Sequence, residues 1–256
     1  FEPVGYFYDQ AMWIGLYYPD LEALYLRLSD LRPAKLYLPG GVLLGVLLLA
    51  GLTRRGRALY VPLSVFSTGA VGMALELGLL FAFQAIYGYV YHQVGIITGA
   101  FMVGLAVGAW CAGGLAERLT GGRPRAAALV GAQLVLGALA LAMSPVLRQM
   151  AGAPQAGWPA DLLSTCAFPV LTAFVGLSVG LQFPLAVASR IASASERATA
   201  SSAAWLYAAD LSGASLGAVL AGAVLVPVLG IAQTCLAAAT LAAAMALLLS
   251  VRLLKP

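Results

Sequence analysis

The chain has 256 residues, of which 62% are hydrophobic and only 9% are charged. Soluble domains carry about 25% charged residues, so this composition excludes a water-soluble globular protein and predicts an integral membrane protein. The net charge is +4, but the basic residues stand in short clusters between apolar runs, which indicates membrane topology and no nucleic-acid partner.

Residues 1–35 differ from the rest because they mix charged side chains with many aromatic ones. The stretch FYDQAMWIGLYYPDLEALYLRL predicts a segment at the membrane interface, with an amphipathic helix over 21–31. The alternative is that residues 1–35 are the end of a soluble domain. The chain begins Phe1-Glu-Pro, without an initiator methionine, so we expect it to belong to a longer polypeptide or to be a processed product.

Apolar runs fill the remainder of the sequence, and we expect 36–256 to form the transmembrane domain. Their richness in alanine, glycine and leucine favours helices over barrel strands, whose shorter segments alternate in polarity. The sequence therefore predicts an all-α, polytopic transmembrane bundle of about seven spans. The predicted spans are 36–52, 62–87, 94–116, 126–147, 162–188, 203–226 and 231–251.

The loops between these spans alternate in charge. Basic residues follow the first, third, fifth and seventh spans, whereas the intervening loops contain one arginine among them. The positive-inside rule then predicts that 1–35 lies outside the cytoplasm and that the C-terminus lies inside. The basic positions are Arg54, Arg55, Arg57, Arg118, Arg123, Arg125, Arg190, Arg197, Arg252 and Lys255.

Two carboxylates fall inside predicted spans, where an ionised side chain is costly. Glu76 lies near the middle of VGMALELGLLFAFQ, and Asp210 lies in WLYAADLSGASLG. At ~1.5 Å per residue they are ~20 Å and ~10 Å from the cytoplasmic ends of their helices. An intramembrane carboxylate predicts a functional site by default.

Amide and aromatic side chains accompany these two carboxylates. Carboxylates pair with ammonium groups, and each aromatic face adds cation–π attraction of roughly 0.5–2 kcal/mol, so one hypothesis is a site for an organic cation such as an elongated polyamine. The alternative is a protonated carboxyl group that carries protons or tethers a neighbouring helix through a hydrogen bond. The candidate site residues are Glu76, Asp210, Gln84, Gln182, Tyr87, Tyr207 and Trp205.

The sequence predicts no metal site and no cofactor. Cys111, Cys166 and Cys235 fall inside apolar runs without CxxC or CxxCH spacing, and we interpret them as packing residues. The single histidine, His92, cannot supply a bis-histidine haem site and is interpreted as an interface residue.

The predicted cytoplasmic loop GGLAERLTGGRPR contains Glu117, Arg118, Arg123 and Arg125. Its spacing resembles the loop between the second and third helices of each half of the major facilitator transporters. In that family a glycine turn and arginines hold neighbouring helices in one conformational state, and an aspartate usually stands where this chain has Glu117. The resemblance implies that the last six spans form a bundle like half of such a transporter.

Four longer stretches carry a second resemblance: EPVGYFYDQAMW, STGAVGMALELGLLFAFQAIYGYVYHQVG, AFMVGLAVGAWCAGGLAER and LYAADLSGASLGAVLAGAVLVPVLG. They resemble the C-terminal membrane part of bacterial fused spermidine synthase-like proteins, in which an aminopropyltransferase-like domain adjoins membrane helices. The resemblance implies a bacterial inner-membrane protein associated with polyamine chemistry. No glycine-rich nucleotide loop and no soluble aspartate cluster stands in this sequence, so we assign no catalytic residue to it.

Three functions follow as alternatives. The first is a membrane module of a spermidine synthase-like protein that anchors or assembles with extracytoplasmic or membrane partners, including a soluble domain outside this chain. The second is a transporter or sensor half for polyamine-like cations that uses Glu76 and Asp210. The third is the membrane half of an aminopropyltransferase-like enzyme with its chemistry elsewhere.

Overall fold

The computed structural model describes residues 4–18, 59–88, 91–152, 163–191 and 196–254, with the single residues 26 and 45. These residues are almost entirely helical, and none of them lies in a strand. The helices are α1 Val4–Tyr17, α2 Tyr60–Tyr87, α3 Tyr91–Arg118, α4 Gly122–Ala151, α5 Phe168–Gly180, α6 Gln182–Ile191, α7 Glu196–Leu220 and α8 Ile231–Leu254. A π-helical turn, Leu163–Ala167, precedes α5, and another, Ala221–Leu229, continues α7.

Six helical stretches within the described residues are long and apolar enough to cross a membrane. The chain is therefore a helical, multi-pass membrane protein. The predicted first span, 36–52, and the predicted amphipathic helix, 21–31, lie outside the described residues apart from residues 26 and 45. The six stretches are Tyr60–Tyr87, Tyr91–Arg118, Gly122–Ala151, Thr165–Ser189, Ala200–Leu229 and Ile231–Val251.

Glycines set the close approach of α2 and α7. A Cβ added to Gly213 would meet the carbonyl oxygen of Phe66, and a Cβ added to Gly217 would meet that of Ala70. The contact moves forward by four residues on both helices, from Gly213 to Gly217 and from Phe66 to Ala70, so α2 and α7 run parallel. Small residues four apart allow helix backbones to touch in lipid, where apolar burial gives little driving force between helices.

A second pair, α3 and α5, packs in the same way. A Cβ at Gly104 would meet the carbonyl of Ala173, and a Cβ at Gly108 would meet that of Leu177. Gly176 and Gly180 approach the backbone of α3 reciprocally. These two helices also run parallel, and α4 packs extensively on α8 to complete the bundle.

The two glycine-rich pairs are related by an internal repeat that we did not recognise in the sequence. The stretch GLAVGAWCAG, from Gly104, and the stretch GASLGAVLAG, from Gly213, share glycine or alanine at the same five positions. Gly121 and Gly230 stand at the same offset, have φ of 100° and 83°, and precede α4 and α8. If α2, α3 and α4 are exchanged for the α5–α6 span, α7 and α8, the α3–α5 contact becomes the α7–α2 contact. Helices that are exchanged in this way run in opposite directions.

The two ends of the bundle differ in charge. One end, which we call the basic end, is where α3 and α6 finish and α4 and α7 begin. Arg148 is the one lysine or arginine that the described residues place at the opposite end. The basic end carries Arg118, Arg123, Arg125, Arg190, Arg197 and Arg252.

Helix α1 packs on the opposite end. Its Ala11 is buried and, with Ile14, contacts Val228 in the π-helical continuation of α7. The other face of α1 exposes Tyr8 and the stacked pair Trp13 and Tyr17, whose ring centroids are 6.0 Å apart. This short helix therefore presents an aromatic surface at the end away from the arginines.

Candidate functional site: a buried polar cluster along α2

A cluster of polar side chains lies inside the basic half of the bundle. Thr68 on α2 is 2% exposed, and its hydroxyl lies within hydrogen-bonding distance of the side-chain oxygens of Gln133 on α4 and Gln182 on α6. The Gln133 amide donates to the hydroxyl of Ser67 at 3.3 Å, and the Thr68 hydroxyl also lies 2.9 Å from the carbonyl of Ser64. The cluster thus connects three helices through side chains that the lipid cannot satisfy.

The cluster sets the Thr68 hydroxyl against two amide oxygens and leaves one amide nitrogen without a partner among the described residues. The Thr68 hydroxyl carries one hydrogen and can donate to one of its three oxygen neighbours at a time. The Nε2 atom of Gln182 is buried and has no hydrogen-bond partner among the described residues. Buried amide groups normally find partners, so the Nε2 atom of Gln182 is an unsatisfied donor within this cluster.

Glu76 continues the same face of α2 toward the middle of the span. Thr68, Gly72 and Glu76 stand at i, i+4 and i+8, which places them along one side of a helix. Gly72 faces Val179 of α5, because an added Cβ would lie 2.7 Å from its Cγ2. Glu76 is 4% exposed, and its Oε2 atom has no hydrogen-bond partner among the described residues. A carboxyl group in this position needs a proton or a cation, since an unpaired buried charge is costly.

Asp210 lies against α2 at a different depth. A Cβ added to Gly69 would lie 2.5 Å from the Asp210 carbonyl oxygen and 2.9 Å from its Oδ1. Gly69 precedes Glu76 by two helical turns on nearly the same face, which is ~10 Å along the helix. The bundle therefore places Asp210 of α7 against α2, separated along that helix from Glu76, as their predicted depths implied.

The aromatic candidates do not surround the carboxylates. Trp205 is 72% exposed and Tyr207 is 56% exposed, and the ring of Tyr207 packs edge-on against Phe183 at 6.3 Å. Tyr87 lies at the far end of α2, where its ring contacts Phe168 at 6.1 Å. The structure therefore does not bring these rings around Glu76 and Asp210, because the helical spacing turns Trp205 and Tyr207 away from the bundle interior.

Gln84 and Gln182 also separate in the structure. Gln84 is half-buried, two turns beyond Glu76 toward the end opposite the arginines, whereas Gln182 joins Thr68 at the basic side. Gln133 and Thr68 were missed in the sequence because a threonine or glutamine in an apolar run is common. The signal that could have found them is the i, i+8 spacing of Thr68 and Glu76 on one helix face.

In the predicted cytoplasmic loop, Arg125 makes the structural contacts. Its Nε donates to the carbonyl of Leu119 at 3.0 Å, and its Nη1 donates to the carbonyl of Ala188 near the end of α6 at 3.2 Å. A guanidinium suits these carbonyls because the last carbonyls of a helix lack internal donors and carry partial negative charge. Glu117, Arg118 and Arg123 are exposed.

We expect Arg125→Gln to lower the free energy of unfolding by about 1 kcal/mol, because it removes one hydrogen bond from the start of α4 to Ala188 of α6 and a second to Leu119 after α3. Arg123→Gln, two residues away and exposed, is the matched control and should have an effect near zero. Thermal unfolding of the purified protein in mild detergent measures both. Equal losses from the two substitutions would contradict the structural role of Arg125.

The polar groups of this site can form hydrogen bonds, and its carboxyl groups can bind a proton or a cation. Among the described residues, no group of three His, Cys, Asp or Glu side chains could hold a metal ion. Cys111 and Cys166 are exposed on the bundle and Cys235 is buried, so only Cys235 packs in the interior as expected.

Comparison of the chain with protein-family models, curated protein sequences and solved structures finds no match.

Proposed function

We propose that this chain is the membrane module of a spermidine synthase-like assembly, and that it anchors an extracytoplasmic domain through α1. The observation that supports this most is the position of α1, which packs on Val228 and turns Tyr8, Trp13 and Tyr17 outward. It lies at the end of the bundle away from the arginine clusters, which the positive-inside rule assigns to the extracytoplasmic side. Tyrosine and tryptophan are enriched at such interfaces because they join an apolar body to a polar tip.

The bundle itself is proposed to be of the major facilitator half type. Such halves consist of two three-helix units related by inverted topology. The shared glycine pattern of Gly104 and Gly213, and the two contacts that exchange under the repeat, favour this architecture. The contacts of Arg125 fit the role that the resemblance gives to arginines in this loop. An anchor of this type lies in the bacterial inner membrane with its C-terminus in the cytoplasm.

Cysteine labelling tests the orientation. In a variant with Cys111, Cys166 and Cys235 replaced by alanine, Tyr8→Cys should react with a membrane-impermeant maleimide in intact cells. Arg123→Cys, which is also exposed, should react only after permeabilisation. The reverse pattern would place α1 in the cytoplasm and would contradict the anchoring proposal.

Photo-crosslinking tests the anchoring itself. A benzophenone amino acid at Trp13 should crosslink to an aminopropyltransferase-like domain, identified by mass spectrometry, in the intact membrane. The matched control is Trp110, which is 81% exposed but lies on a membrane-spanning helix, and we expect it to crosslink to lipid. Crosslinks from Trp13 to lipid alone would remove the support for a docking role.

The buried polar cluster favours a second function, a proton-coupled or cation-binding transporter half. The supporting observations are the Oε2 atom of Glu76 and the Nε2 atom of Gln182, two buried polar atoms that have no hydrogen-bond partner among the described residues. An intramembrane carboxyl group without a protein partner suits a mobile proton or cation. Polyamines are the substrate class that the family resemblance suggests.

For this second function we expect Glu76→Gln to abolish spermidine uptake into proteoliposomes while leaving the protein folded, because the amide keeps the shape and loses the charge. Asp210→Asn is the companion variant at the second carboxylate and should reduce uptake less, since Asp210 lies at another depth. The transport function would be rejected if Glu76→Gln takes up spermidine as well as the unmodified protein does. It would also be rejected if the unmodified protein takes up none.

A further inference from the structure

A groove separate from the polar cluster lies between α4 and α8, near the end of the bundle opposite the basic end. Its volume is about 310 Å³. Leu141 and Leu236 line it and are 57% and 47% exposed, so the groove opens on the outer surface of the bundle. In a membrane protein this surface faces lipid.

Arg148 lies at the membrane-interface end of the groove. It is exposed, and its side chain forms no ion pair or hydrogen bond with the other described residues. A guanidinium matches a phosphate group in geometry and charge, and it binds phosphate through two parallel hydrogen bonds. Among the described residues, Arg148 is the one lysine or arginine at this end of the bundle, so it is the positive charge available there to an anionic group.

Two further polar groups lie one turn deeper in the same groove. Pro145 lies within α4 and has no backbone N–H, so the carbonyl of Leu141 loses its usual donor four residues on. Ser144 adds a hydroxyl beside it and also lines the groove. Polar groups at membrane depth need a partner, and the Ser144 hydroxyl can donate to an ester oxygen of a phospholipid, which lies just deeper than its phosphate.

We propose that this groove binds an anionic phospholipid, with the phosphate on Arg148 and an acyl chain along Leu141 and Leu236. From Arg148 to Ala140, the deepest residue of α4 in the groove, the helix descends ~12 Å, which takes a lipid from its headgroup into its first acyl segment. The charge of the groove selects the headgroup, and its leucines accept the chain. This site is independent of the anchoring and transport proposals.

Native mass spectrometry of the full-length protein in detergent, with added phosphatidylglycerol or phosphatidylcholine, tests the site. We expect the protein to retain phosphatidylglycerol in preference to phosphatidylcholine. Arg148→Gln should weaken the retention of phosphatidylglycerol about tenfold or more, as expected for loss of a charge-assisted hydrogen-bond pair. Arg123→Gln, an exposed arginine at the basic end, should leave this retention unchanged.

Leu236→Trp provides a second variant that fills the groove and keeps the charge, and we expect it to weaken retention of phosphatidylglycerol as well. Equal losses from Arg148→Gln and Arg123→Gln would overturn the proposal, because they would indicate binding to the general positive charge. Displacement of the lipid by millimolar inorganic phosphate would assign the groove to a soluble phosphate compound and would also overturn the proposal. Binding of inorganic phosphate at Arg148 in the absence of lipid would do the same.

Discussion

Replacing Gly213 with alanine is expected to destabilise the bundle by about 1–3 kcal/mol, in the range of overpacking substitutions. The added methyl group would occupy the position of the Phe66 carbonyl oxygen. Backbone atoms cannot move aside as a flexible side chain can, so α7 would have to separate from α2 along much of its length. Such a separation would also lift Gly217 from Ala70 and Asp210 from Gly69, since all three contacts lie on one interface.

Gly99→Ala is the matched control for this substitution. Gly99 lies in a helix, as Gly213 does, but a Cβ there would meet nothing within 4 Å. Alanine is favoured over glycine inside helices by about 0.5–1 kcal/mol, so the control should be neutral or slightly stabilising. Unfolding in a graded detergent and denaturant mixture, followed by circular dichroism, measures both. A destabilisation of Gly99→Ala as large as that of Gly213→Ala would contradict the packing of α2 on α7.

Replacing Thr68 with valine is the second substitution with a large expected effect. Valine keeps the shape of threonine and removes the hydroxyl, so Gln133 and Gln182 would lose a buried partner. We expect a loss of about 1–2 kcal/mol, at the upper end of the values measured for polar contacts between membrane helices. Thermal unfolding in mild detergent checks this value.

Thr240→Val is the matched control. Thr240 is exposed, and its hydroxyl bonds only to the carbonyl of Leu236 in its own helix at 2.7 Å. The control should change stability little. The double variant Thr68→Val with Gln182→Leu should recover part of the loss, because it also removes the buried Gln182 amide that Thr68→Val leaves without a partner. If the double variant loses more stability than the two single variants together, Gln182 has another essential partner.

The resemblance-based proposals and these physical predictions are tested separately. The labelling of Tyr8→Cys and the crosslinks of Trp13 concern the outer end of the bundle, whereas Gly213 and Thr68 concern its interior. The glycine and threonine variants measure packing whatever the chain does in its membrane. Glu76→Gln connects the two groups, because it removes the charge of the buried carboxyl and leaves the packed shape in place.

Helix type and span positions could be predicted from the sequence over much of the chain. The apolar runs beginning near Pro62 and Ile231 correspond to helices Tyr60–Tyr87 and Ile231–Leu254. Such runs determine membrane helices because backbone groups in lipid can be satisfied only within the segment. Helix ends were less accurate: α3 continues to Arg118, past the predicted end at residue 116, since polar residues extend a helix beyond the apolar core without cost.

The candidate site could be predicted only in part. The sequence alone marked Glu76 and Asp210, because a carboxylate in an apolar run is unusual wherever the helix packs. It did not show that Thr68, Gln133 and Gln182 meet, since they come from three helices that are distant along the chain. It also named Trp205 as a candidate near the carboxylates, and the rotation of α7 leaves this side chain exposed.

The sequence by itself determined that this is a helical membrane protein and which carboxylates fall within its apolar runs, because lipid restricts the local conformation of every segment. Only the tertiary structure decided which helix faces meet. That choice depends on where glycines such as Gly104 and Gly213 let two backbones touch, and on which side chain is rotated toward a neighbour. It therefore decided that the buried Oε2 atom of Glu76 has no partner among the described residues, that Trp205 faces outward, and that Arg148 lines an open groove.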